Sequence, residues 1–71
     1  MNNVTEKYNL IFIDYPDVVN LEQMKAMLGG DKPISSTLAY RLLKDKEIKS
    51  KKIGREYKIP KINIINYLIR D

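Results

Sequence analysis

Lys52-Ile53-Gly54-Arg55-Glu56-Tyr57-Lys58-Ile59-Pro60 places one glycine between two short β-prone runs and closes on a proline. With Ile48-Lys49-Ser50-Lys51 before it, the stretch predicts a two-stranded hairpin over Ile48–Ile53 and Glu56–Ile59, with Gly54 supplying the permissive backbone at the tip. Pro60 suits the first turn of a following helix, whose Ile62, Ile64, Ile65, Leu68 and Ile69 make it strongly apolar. On the other side of the hairpin, Ser35 or Ser36 can cap a helix that turns Leu38, Ala39, Leu42 and Leu43 inward. That helix leaves Ser36, Thr37, Tyr40, Arg41 and Lys44 outward. Further upstream, Asn20 and Gln23 stand in capping-box spacing, Leu21, Met24, Met27 and Leu28 form one stripe, and Gly29-Gly30 stops the helix. Tyr15-Pro16-Asp17 breaks regular structure, and Tyr8–Ile13 is short and rich in aromatic and branched residues, which predicts an extended arm. The expected architecture is mainly α with a small β-hairpin over residues 18–71, and an arm over residues 1–17 packed on it.

At 71 residues the chain forms one domain, since a second core could not be assembled. It has no cysteine and no histidine, so it offers no disulfide framework and no soft metal ligands, and no metal site is expected. The same absence removes the commonest general base and the readiest nucleophile. No catalytic constellation and no cofactor site stands out, and the chain does not read as an enzyme. Its longest apolar run, Leu10-Ile11-Phe12-Ile13, is far short of a signal core or membrane span, so the expected location is cytoplasmic with no membrane partner.

Charge is unevenly distributed. Residues 1–31 carry two lysines against five carboxylates, a balance of −3; residues 32–71 carry eleven cations against four carboxylates, a balance of +7. A basic half fits a polyanionic partner and equally a solvated lysine-rich surface.

The order helix, turn, helix, basic hairpin, helix resembles the excisionase family of winged helix-turn-helix DNA-binding domains, a branch of the MerR-like architecture. The resemblance covers roughly Val18 to Leu68. It is carried by Val19-Asn20-Leu21-Glu22-Gln23-Met24, by Ile34-Ser35-Ser36-Thr37-Leu38-Ala39-Tyr40-Arg41-Leu42-Leu43-Lys44, and most specifically by Lys52–Pro60 and Tyr67-Leu68. Family members show an apolar residue, glycine, one or two basic residues, an aromatic, a basic residue and Ile-Pro before a final helix ending in Tyr-Leu. Three features depart from the pattern. Asp31-Lys32-Pro33 lengthens the turn, Lys46 stands where the family has a helix-ending glycine, and Glu56 replaces a basic residue. A lysine forced into a left-handed conformation would carry modest strain.

The resemblance implies that the second helix enters the major groove through Ser35, Ser36, Thr37, Tyr40, Arg41 and Lys44. It also implies that a wing bearing Lys51, Lys52, Arg55 and Lys58 lies along the backbone or an adjacent minor groove. The implied partner is double-stranded DNA, with an integrase or recombinase, or a second copy of the chain on DNA, as protein partners. Arginine can pair with guanine and hydroxyls can meet base edges, whereas wing lysines release counterions from phosphates. Against these readings, edge-strand lysines also guard a sheet from aggregation, the serines are first of all caps, and Tyr57 and Tyr67 fall at core positions. In the arm, Tyr8, Leu10 and Phe12 are expected to pack on the last helix, with self-association as the alternative use of this apolar surface. Three functions stay open: a recombination directionality factor of a mobile element, a transcriptional regulator with the same domain, and an adaptor whose basic hairpin meets an acidic protein.

Overall fold

The computed structural model describes residues 4–70; residues 1–3 of the expected arm and Asp71 lie outside the described residues. In chain order the elements are α1 (Val4–Ile11), β1 (Val18–Val19), α2 (Leu21–Gly29), α3 (Ser36–Lys44), β2 (Lys51–Ile53), β3 (Glu56–Pro60) and α4 (Lys61–Ile69). They make a small, mainly helical domain with a three-stranded antiparallel sheet of order β1-β3-β2.

The start of α2 follows from its capping box. The Gln23 amide donates to Asn20 Oδ1 at 2.8 Å, and the Asn20 amide donates to Gln23 Oε1 at 2.9 Å. Met24 and Met27 are buried, with Leu21 and Leu28 packed at the edge of the core. At Gly29 a Cβ would stand 2.8 Å from the backbone nitrogen of Ile34, so only glycine lets the connection fold back this closely. The Ile34 amide then donates to the Lys25 carbonyl at 3.1 Å, which docks the Asp31-Lys32-Pro33 segment on α2.

Ser35 is the cap of α3, its Oγ accepting from the Leu38 amide at 3.1 Å. Ala39, Leu42 and Leu43 are buried, whereas Leu38, expected to face inward, is 39% exposed because it lies one step off that stripe. The far end of α3 is a Schellman turn. Lys46 adopts φ 61°, its amide donates to the Leu43 carbonyl at 3.2 Å, and the Glu47 amide donates to the Leu42 carbonyl at 3.0 Å. The strained lysine anticipated at this position is therefore present, and it delivers Ile48 into the core at 1% exposure.

In the hairpin, Lys51 pairs with Lys58, Lys52 with Tyr57 and Ile53 with Glu56, around a two-residue tip in which Gly54 has φ 64°. β1 was not anticipated: two residues are too short to show a period, and their strand character comes from pairing Val18 with Pro60 and Val19 with Ile59. That pairing also corrects the reading of Pro60, which ends β3 and stands at the cap position before α4 rather than inside its first turn.

The arm is a helix, not an extended strand. In both periods Tyr8 and Phe12 share a side, and here their rings stack at 6.0 Å with Tyr15 set edge-on to Phe12 at 5.9 Å. Only Leu10 separates the two cases. A strand would place it beside Tyr8 and Phe12, while the helix turns it outward to 71% exposure, with Ile11 and Ile13 also exposed. Phe12 and Tyr8 thus join the core as expected and Leu10 does not. The turn after α1 is fastened by Lys61, buried to 9% exposure, whose Nζ donates to the carbonyls of Phe12 at 3.3 Å and Tyr15 at 3.0 Å.

Candidate nucleic-acid interface

Thr37, Tyr40, Arg41 and Lys44 all lie exposed on α3, a helix of nine residues without a single carboxylate. Its N-terminus is fixed by two hydroxyls with different tasks. Ser35 caps it, and Ser36 Oγ accepts from Lys25 Nζ at 2.9 Å, an ammonium that also lies 3.4 Å from Glu22. Both serines have structural partners, while Thr37, Arg41 and Lys44 have none among the described residues.

Tyr40 joins α3 to the hairpin. Its ring lies 5.9 Å from that of Tyr57, tilted by 59°, and Lys52 Nζ sits 5.4 Å from the Tyr57 ring. Tyr57, assigned to the core from its position, is half-buried and serves as the link between helix and hairpin. Beside this pair opens a cleft of about 240 Å³, lined by Arg55 and Glu56 of the hairpin and by Asn20, Leu21 and Glu22 at the start of α2. Tyr40, Lys52, Arg55 and Tyr57 are therefore brought together where α3 meets the hairpin.

Lys51 and Lys58 lie on the opposite face of the hairpin. Partners across an antiparallel ladder share a face and successive residues alternate, so Lys52 and Tyr57 face α3 while Lys51 and Lys58 face away. Lys58 Nζ additionally lies 3.3 Å from Glu56. The four hairpin cations expected to act together are divided by the strand register into two pairs. The hairpin bounds read from sequence already imply this register, and the structure adds that the face of Lys52 and Tyr57 is the one that meets Tyr40.

Among the described residues, no cluster of carboxylates could hold a metal ion, and no helix is long and apolar enough to cross a membrane. Comparison with protein-family models, curated proteins and solved structures finds no match to this chain.

Proposed function

We propose that the chain is a sequence-specific double-stranded DNA-binding protein of winged helix-turn-helix build, with α2 and α3 as the helix pair, β2 and β3 as the wing, and no catalytic activity of its own. The observation that carries this reading is the carboxylate-free outer face of α3, coupled through Tyr40 and Tyr57 to the cations of the hairpin. An α-helix with its side chains is roughly 10–12 Å across, which matches a major groove about 12 Å wide. In this reading Arg41, exposed on α3, reads a base edge, exposed Thr37 and Lys44 hold phosphates, and Lys52 and Arg55 follow the backbone beyond the helix. Within this class, the resemblance of Lys52–Pro60 and Tyr67-Leu68 to the excisionases favours an architectural role beside a recombinase in a mobile element.

Fluorescence anisotropy with a labelled duplex across a salt series tests the reading. Neutralising roughly four to six phosphates gives a slope of log affinity against log salt near −4 to −5. A flat response rejects DNA as the partner.

A further inference from the structure

A second concentration of cations runs from the turn after α3 to the face of the hairpin opposite Lys52 and Tyr57. Lys49, Lys51 and Lys58 line a cleft of about 210 Å³ together with Ser50 and Asn63. Lys46 and Lys49 then border the neighbouring depressions toward Asn66 and Arg70. The surface is built on fixed backbone: Asn63 Nδ2 donates to the Lys49 carbonyl at 3.0 Å, tying the loop to α4, and the Schellman turn sets Lys46. Two carboxylates in this region are paired, Glu47 with Arg70 and Glu56 with Lys58, while Asp45 stands exposed beside Lys46. Lys46, Lys49 and Lys51 have no carboxylate partner among the described residues.

We infer that this outer face, Lys46, Lys49 and Lys51 with Asn63, binds the phosphate backbone of a second DNA segment while α3 holds the first, an inference that rests on the DNA reading above. Two arrangements decide in favour of a separate segment. The register turns Lys51 and Lys58 away from the side occupied by α3. Lys49 sits at the base of the hairpin beside Asn63 of α4 and Lys46 in the turn after α3, both away from the Gly54 tip that a groove of the first duplex would admit. The face carries excess positive charge, and Tyr67 at its border is half-buried with Arg70 over its ring, so it suits phosphates of any sequence.

Sedimentation of the intact protein with an excess of two differently labelled short duplexes, at low salt, provides the test. The expected species is one protein with two duplexes. Lys46→Gln/Lys49→Gln should weaken the second binding step at least tenfold and reduce its salt slope by about 2, each lost phosphate contact being worth roughly 0.9. The first step should stay within twofold, and an unchanged melting temperature would show the fold intact. A complex with only one duplex overturns the inference, as does a species of two proteins with two duplexes, or a double variant that binds the second duplex as the parent does. Failure of the first step itself, with no duplex bound at low salt, would instead remove the DNA reading on which the inference stands.

Discussion

Arg41 and Lys52 have different settings, and on the proposed DNA reading they are expected to divide the labour. Arg41 projects from a helix with a free fork of donors, so Arg41→Ala should weaken binding to the preferred site by ~1–3 kcal/mol and relax specificity. Lys52 is held over the Tyr57 ring and Arg55 sits at the hairpin tip; alanine at either should weaken preferred and unrelated DNA about equally. A competition assay separates the two patterns, and equal loss on both DNAs from Arg41→Ala would make that residue a phosphate contact. Lys46 offers a test of stability. It occupies a left-handed position that costs a side chain roughly 1 kcal/mol, so Lys46→Gly should stabilise the domain by about 0.5–1 kcal/mol and raise its melting temperature by a few degrees. A lower melting temperature would mean that the turn is not strained. This strain was legible beforehand, because a lysine followed the last apolar position of a helix where a glycine was due. The role of Lys61 was not. Nothing in a lysine that follows a proline announces that its ammonium will be buried against two carbonyls from the other end of the chain.

At the level of elements, caps and stripes decided what could be read. Asn20 with Gln23 and Ser35 with Leu38 mark helix starts through local hydrogen bonds, and such bonds depend on neighbours in sequence. α1 and β1 depend on distant partners: α1 on the face of α4, β1 on the end of β3. The sequence around Tyr8–Ile13 contains the same aromatic pair for helix and strand, so its type is settled by α4 and by Lys61. Removing residues 1–15 should therefore lower the melting temperature clearly, since burying Phe12 alone contributes on the order of 1.5–3 kcal/mol. DNA affinity measured well below that temperature should change little. An unchanged melting temperature would detach α1 from the core, and weaker binding by a still-folded truncation would make it a DNA-contacting arm.

Over the whole molecule, the balance of −3 before Lys32 and +7 from it onward is visible in the sequence, and its division between the faces of the hairpin follows from the register. A slip of one residue between β2 and β3 would exchange Lys52 for its neighbours and move the cations to opposite faces. The division is set by the Gly54 tip and by Ile59, whose burial fixes which way the odd-numbered residues of β3 point. The alternation of the hairpin was readable in the sequence, and the meeting of Tyr57 with Tyr40 only in the fold.

The fastening of the arm by Lys61 also bears on how the protein emerges during synthesis. The carbonyls of Tyr15 and Asp17 receive their donors from Lys61, 46 and 44 residues later in the chain, and Lys61 also shares the Phe12 carbonyl with the nearby Tyr15 amide. Domains generally fold from the N-terminus as they leave the ribosome. Here the first helix must wait for the last, and until α4 is clear of the exit tunnel the Tyr8–Phe12 surface stays open to chaperones and proteases.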